Sequence, residues 1–340
     1  MPQDVALPAT NREGFFEIRL ESIGGLGANV AGKILAEAGV LHVGLNASHF
    51  ASYGSEKKGT PVKSFIRFAG GDRVIRNATP VERPHVLGVF HEALIRSNPG
   101  VLGGLYPDSV VVVNTRREPA DLAEWMGLSS GRIGAVAALD IAVAAGSRVN
   151  MAMLGAVTRA CSFLPPEAVV EAIRDSLGAR YPRLLEANLQ AFWRGYHEVR
   201  WVERRTEAGR EDAPFTRPEP LWGYITACAG GAILQPGNTA SKDMSASRQG
   251  FLPQFLRDKC IDCAQCDLVC PDFCFVWEMG RDKRGRPAMT LAGIDYQYCK
   301  GCLKCVEACP VDALVKIPET DGWAEGHRVK HDWQLQASHF

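Results

Sequence analysis

Cys260, Cys263, Cys266 and Cys270, followed by Pro271, form a Cys-x2-Cys-x2-Cys-x3-Cys-Pro run, and Cys299, Cys302, Cys305, Cys309 and Pro310 repeat it 39 residues later, with Gly301 ahead of the second cysteine of its run. Thiolates at i, i+3 and i+6, on a short loop whose amides point inward, reach three corners of one iron-sulfur cubane, and the same loop cannot reach the fourth. Such a run occurring twice is the ligand pattern for two 4Fe-4S clusters. The chemistry these residues can perform is one-electron transfer.

In the bacterial two-cluster arrangement, the last cysteine of each run closes the other run's cluster. On that pattern Cys260, Cys263, Cys266 and Cys309 hold the first cluster, and Cys299, Cys302, Cys305 and Cys270 hold the second. Paired zinc knuckles are the alternative, but tetrahedral zinc leaves the third interval and the doubled Cys-Pro without a purpose. The chain opens Met1-Pro2-Gln3-Asp4 without a basic and apolar leader, so a cytoplasmic location is expected and disulfides are not. Cys161 lies in an apolar helical pattern and Cys228 in an Ala-Cys-Ala-Gly-Gly stretch, where buried or unreactive thiols are the rule. Cys274 is read as a bystander, because both clusters already have four ligands. Phe273, Phe275, Trp277, Tyr296 and Tyr298 are expected to shield the clusters from water.

These loops need a scaffold, and 340 residues suffice for two or three domains. The composition, 46% hydrophobic and 22% charged, is that of globular protein. Formal net charge is zero and no basic stripe is interleaved with aromatics, which argues against nucleic acid as the partner. The longest apolar stretch, 134–146, is interrupted by Asp140 and reads as core rather than a membrane span. Over residues 1–201, short apolar runs alternate with helical patterns, the signature of an α/β domain with a largely parallel sheet. Strands are expected at 16–23, 62–68, 86–90, 110–114 and 133–138, and helices at 28–38, 150–163, 167–177 and 182–197. Pro165-Pro166 opens the third of these helices and Gly178 closes it. Residues 202–253 begin with a charged run leading to Pro214, Pro218 and Pro220, and read as an extended linker. Residues 254–318 form a small α+β domain around the cysteines. Residues 319–340, with Trp323, Trp333 and Phe340, are expected as a tail that lies against another subunit or is loosely ordered.

A second motif is weaker. The strand at 16–23 runs into Gly24-Gly25-Leu26-Gly27-Ala28 and then a helix, a geometry that offers amides and a positive dipole end to an anion. Counted from Gly25, the third position of a dinucleotide fingerprint is Val30, and no acidic residue occupies the ribose position. Gly24, Gly25 and Gly27 are therefore read as an anion or coenzyme contact, beside a purely structural strand-to-helix turn. His91-Glu92 lacks a histidine at position 95, so the zinc-protease helix fails. Ser55, Glu56, Lys57 and Lys58 read as a solvated loop that could meet a coenzyme or a partner chain. No residue is assigned a catalytic role.

The order of the glycine turn, the helix Ala31-Gly32-Lys33-Ile34-Leu35-Ala36, the segment Tyr53-Gly54-Ser55-Glu56-Lys57-Lys58-Gly59 and the segment Asn150-Met151-Ala152-Met153-Leu154-Gly155 resembles the gamma subunit of 2-oxoacid:ferredoxin oxidoreductases. The cysteine region resembles the delta subunit of the same enzymes, and the order is that of a gamma-delta fusion. Family members commonly carry Arg-Gly-Gly where this chain has Lys58-Gly59-Thr60. The resemblance implies a hetero-oligomeric complex that oxidatively decarboxylates a 2-oxoacid, pyruvate foremost, with coenzyme A. It further implies thiamine diphosphate and Mg2+ on alpha and beta subunits, and ferredoxin or a similar acceptor. This chain has no Gly-Asp-Gly followed by Asn-Asn, since Gly71-Asp72 continues into Arg73. The alternative reading is a stand-alone ferredoxin-like carrier, or the iron-sulfur subunit of another redox complex with its own nucleotide-binding domain.

Overall fold

Strand β1 (Phe16–Ile23) alternates Phe16, Ile18 and Leu20 with Glu17, Arg19 and Glu21, yet every residue of it is buried. A strand covered on both faces sits inside a layered α/β domain, and its charges must be answered internally. The computed structural model describes residues 5–53, 60–178, 181–205, 227–231, 243–282 and 284–331. The chain divides into two units, Met1–Thr216 and Arg217–Phe340.

In the first unit, β1 is followed by α1 (Ala28–Ala38), β2 (Asn46–Tyr53), β3 (Pro61–Ala69), β4 (Val86–Val89), α2 (Ala93–Ser97), β5 (Val110–Asn114) and α3 (Pro119–Trp125). Then come β6 (Gly131–Val136), α4 (Ala138–Ala145), α5 (Val149–Ala160), α6 (Pro166–Ile173), α7 (Leu185–Glu198) and β7 (Arg200–Arg204). Among the described residues seven strands make one sheet, in the order β2-β3-β1-β4-β5-β6-β7. Its centre, β1-β4-β5-β6, is parallel, as the alternating pattern predicts, and β3 and β7 close it antiparallel on either side. Helices α1 and α5 lie on the sheet, and α6 and α7 pack against them.

The charged side of β1 is tied down. Arg67 of β3 meets Glu17 at 2.7 Å with 2% of its side chain exposed. Burial pushes the Glu17 carboxyl up, and the Arg67 guanidinium offsets only part of that rise. Arg19 pairs with Glu21 at 3.1 Å and donates to the carbonyls of Val81, Glu82, Val101 and Gly103, holding two loops over the sheet. Removing one partner of a buried pair strands the other charge, at a cost of about 3–5 kcal/mol. Arg67→Ala is therefore expected to lower the unfolding free energy of the first unit by that amount, read as a lower denaturant midpoint at unchanged slope; an unchanged midpoint would show that Glu17 needs no partner.

The expected helices 150–163 and 167–177 end early as α-helix, at Ala160 and Ile173, α2, α3 and α4 went unpredicted, and three further differences bear on the sheet and the linker. β2 has no continuous apolar run, because it is a half-exposed edge strand, and it went unpredicted. The stretch expected as strand 133–138 ends at Val136, and Ala138 opens α4 instead. β7 occupies the start of the expected linker, its Trp201 packed under the Arg132 guanidinium at 4.0 Å, so the linker cannot begin at 202.

The second unit contains β8 (Phe251–Phe255), α8 (Gln265–Leu268), β9 (Phe275–Arg281), β10 (Pro287–Ile294), α9 (Lys304–Ala308), β11 (Leu314–Pro318) and α10 (Trp323–Gly326). β8 pairs with β11, and β10 with β9, both antiparallel. The pair Phe255–Leu314 becomes Ile294–Phe275 when 39 is added to the first number and taken from the second. Each two-stranded sheet therefore joins a strand of one half to a strand of the other. The expected linker ends early as well: Met244 already donates to the carbonyl of Gln297, and Arg248 is buried against the second run.

The expected tail is corrected in its first part. Trp323 meets Tyr296 edge-on at 5.4 Å, the Val329 amide donates to the Ile294 carbonyl, and Arg328 pairs with Asp295 at 2.6 Å. Residues 319–331 belong to the domain because these contacts cover its core. Trp333 and Phe340 lie outside the described residues.

Candidate functional site

A loop that wraps a cluster must aim its amides at sulfur, and that requires left-handed backbone at fixed points. Among the described residues, the non-glycine positions with positive φ are Asp262 (56°), Ala264 (60°), Phe273 (52°), Leu303 (60°) and Asp312 (51°). With Gly301 (66°) they form three pairs 39 residues apart: 262 with 301, 264 with 303, and 273 with 312. L-residues pay strain there, so the conformation is held by what surrounds it. Gly301 must be glycine for a further reason, since a Cβ would stand 2.5 Å from the Phe251 carbonyl oxygen.

The amides reach the sulfurs in the same pairs. The Asp262 amide donates to Cys260 Sγ at 3.4 Å and the Gly301 amide donates to Cys299. The Ala313 amide donates to Cys309 Sγ at 3.2 Å and the Cys274 amide donates to Cys270. Two cavities result, each with about 340 Å3 of unfilled space, part of it open to solvent. Cys260, Cys263, Cys266 and Cys309 line one, with Phe255, Trp277 and Leu314 as apolar wall. Cys299, Cys302, Cys305 and Cys270 line the other, with Phe275 and Ile294 in the corresponding places and Cys274 as a fifth cysteine. Four thiols to a cavity, amides pointed at sulfur and an apolar lining fit the donor set of a 4Fe-4S cluster.

Burial pushes the Cys266 thiol up to about 12 and raises Cys260 and Cys305 as well. Hydrogen bonding from Cys274 acts the other way, drawing Cys270 down to about 6 and lowering Cys299, while the Cys274 thiol that donates is itself raised. Cys274, 4% exposed, lines the second cavity beside the expected ligands Cys270 and Cys299. Cys161 is buried, with its thiol pushed up to about 12 by desolvation, and Cys228 is half-buried.

Of the expected shielding aromatics, Phe275, Tyr296 and Tyr298 are buried, and Trp277 lines the first cavity. Phe273 does not shield. It is 81% exposed, at a loop position with positive φ. The sequence reading missed Arg248, which donates to the carbonyls of Cys299 at 2.9 Å and of Tyr296, and meets Glu319 at 2.6 Å, bracing the second run. A lone arginine before the first cysteine carries no spacing signal.

In the first unit, Gly25 and Gly27 take positive φ (109° and 81°), and Gly27 directly precedes α1. The amides of Gly24 and Leu26 donate to the carbonyls of Thr60 and Ile23. A Cβ on Gly27 would meet Asn150 Nδ2 at 2.7 Å, so the turn has a packing reason for its glycine. Ser55, Glu56, Lys57 and Lys58 lie outside the described residues. Among the described residues no helix is long and apolar enough to cross a membrane.

Comparison with known proteins agrees with this division. The family model described as Pyruvate ferredoxin/flavodoxin oxidoreductase matches residues 17–198, and the 4Fe-4S dicluster domain matches residues 259–313. Pyruvate synthase subunit PorC of Thermotoga maritima is 36% identical over 192 residues, covering 56% of this chain and 97% of the relative. Pyruvate synthase subunit PorD of the same organism is 36% identical over 96 residues, 28% of this chain and 87% of the relative. Pyruvate:ferredoxin oxidoreductase of Moorella thermoacetica is 24% identical over 361 residues, spanning 91% of this chain and 30% of the relative. One chain here carries the counterparts of two Thermotoga chains.

Proposed function

The chain belongs to the pyruvate ferredoxin/flavodoxin oxidoreductase family, and on that premise we propose that it is the fused gamma-delta, electron-transferring subunit of a complex that oxidises a 2-oxoacid, pyruvate foremost, with coenzyme A to acyl-CoA and carbon dioxide. The single observation that carries this reading is the joining of a gamma-like domain to eight cysteines that line two cavities in one polypeptide. Each cluster, when bound, supplies one-electron redox chemistry. Cys260, Cys263, Cys266 and Cys309 would hold the first, and Cys299, Cys302, Cys305 and Cys270 the second. The amides of Asp262, Cys274, Gly301 and Ala313 donate to ligand sulfurs and so favour the reduced state. Phe255, Trp277, Phe275 and Ile294 exclude water, which strengthens those bonds.

Within the same reading, thiamine diphosphate and Mg2+ are carried by alpha and beta partner subunits, and a ferredoxin or a similar carrier takes the electrons in the cytoplasm. The turn at Gly24, Gly25 and Gly27 is assigned to the anionic part of coenzyme A, at the positive end of α1. Affinity purification of this chain from its own cells is expected to bring down two further chains with bound thiamine diphosphate, and pyruvate-dependent, coenzyme A-dependent reduction of ferredoxin. A lone chain that binds a nicotinamide nucleotide tightly and reduces it through its clusters would replace this reading with the stand-alone carrier.

A further inference from the structure

The halves of the second unit agree across the 39-residue shift in loop conformation, helix position, the first two strand pairs and amide-sulfur bonds, and among the differences between their cavities is one buried thiol. Cys274 corresponds to Ala313. Both residues use the backbone amide in the same way, donating to the sulfur of the last cysteine of their run. The difference is confined to the side chain: a methyl group faces the first cavity, and a thiol 4% exposed faces the second, within hydrogen-bond reach of the sulfurs of Cys270 and Cys299. Lys300 also lines the second cavity where Ile261 lines the first, but its charge is answered by Asp272 at 2.8 Å.

Resting on the two-cluster reading above, we infer that Cys274 is a positioning residue that makes the two clusters unequal: its S–H donates to a ligand sulfur of the second cluster and raises that cluster's reduction potential above the first. A reduced cluster carries one more negative charge, spread partly over its sulfurs, and a hydrogen bond to a more negative acceptor is stronger. In a buried site the gain is larger than in water. One electron enters the second cluster, no bond forms or breaks, and the proton stays on Cys274. The first electron delivered to this chain therefore settles on the cluster of Cys299, Cys302, Cys305 and Cys270, and the next one on its neighbour.

The test is a poised reductive titration of the full-length, cluster-loaded chain followed by low-temperature electron paramagnetic resonance. Cys263→Ser is made first, to leave the second cluster alone, and Cys302→Ser, to leave the first. In the Cys263→Ser background, Cys274→Ala is expected to lower the reduced-to-oxidised ratio of the remaining cluster about tenfold at fixed potential, equivalent to about 59 mV for one electron. Cys274→Ser keeps a donor and is expected to shift the ratio less. In the Cys302→Ser background, Cys274→Ala is expected to change nothing. No shift in the first background, an equal shift in both, or loss of iron on replacing Cys274, which would make it a ligand, overturns the inference. A wild-type chain that takes up no iron and sulfide overturns the two-cluster reading itself, whereas intact clusters without a shift overturn only the role of Cys274.

Discussion

Cys309→Ser is expected to cost this protein about half of its iron, and the half lost is the one held by the other cysteine run. The reasoning lies in the swapped strands. Cys309 stands just before β11, which pairs with β8 immediately upstream of Cys260, so the end of the second run is delivered to the start of the first. Cys270 stands before β9, which pairs with β10 upstream of Cys299, and the exchange is reciprocal. Iron counts of double variants separate the crossed arrangement from the uncrossed one without assigning any spectrum. Residues serving one cluster act as a unit, so Cys263→Ser combined with Cys309→Ser should retain about half the iron, like either change alone. Cys302→Ser combined with Cys309→Ser should retain almost none. The opposite pattern of double variants would mean that each run closes its own cluster. Transfer to the acceptor is expected to fall to background in both single variants, provided the two clusters lie in series.

How much of this was visible in the residues depends on whether a position is fixed by spacing or by contact. The cysteines announced themselves because a cluster accepts few spacings, and the same spacing carried the left-handed positions with it. Parallel strands β4 and β5 were legible because burial on both faces leaves near-continuous apolar runs, and β1 because its apolar residues alternate at the strand period. β2 and β7 were not, since edge strands are half-exposed and their sequences mix polar and apolar residues as loops do. Arg248 and Cys274 were missed or misjudged for another reason. Their roles come from what stands beside them in space, and Cys274 differs from Ala313 only when the two halves are superimposed by register. The burial of Glu17, Arg19 and Glu21 likewise carries no signal in the sequence, because Arg67 and the loop carbonyls that answer Glu17 and Arg19 are distant along the chain.

The segment Asn150-Met151-Ala152-Met153-Leu154-Gly155 gains a physical meaning that leads to the second large effect. A Cβ on Gly155 would lie 2.0 Å from the Phe192 carbonyl oxygen and 2.7 Å from the Tyr196 nitrogen, and one on Gly195 would lie 1.9 Å from the Ala152 carbonyl oxygen. Helices α5 and α7 therefore meet backbone to backbone at two glycines that answer each other. Alanine is the better helix former by about 0.8–1.0 kcal/mol, so propensity alone predicts that Gly155→Ala stabilises the chain. The contact reverses the sign. Neither backbone can move without shifting a helix, and overpacking of this kind costs about 1–3 kcal/mol or more. Displacing α5 also carries Asn150 away from Gly27, which loosens the glycine turn ahead of α1. Gly155→Ala and Gly195→Ala are each expected to lower the unfolding free energy of the first unit by about 3 kcal/mol, read as a lower denaturant midpoint at unchanged slope. Iron content should stay unchanged, because the cysteines belong to the other unit. Gly178→Ala is the control. Its nearest neighbour would be Leu185 Cδ2 at 3.5 Å, an ordinary contact, and its unfolding free energy should move by no more than about 0.5 kcal/mol. If Gly155→Ala behaved like Gly178→Ala, the close approach of α5 and α7 would be wrong, and with it the packing reason for the most recognisable segment of the first unit.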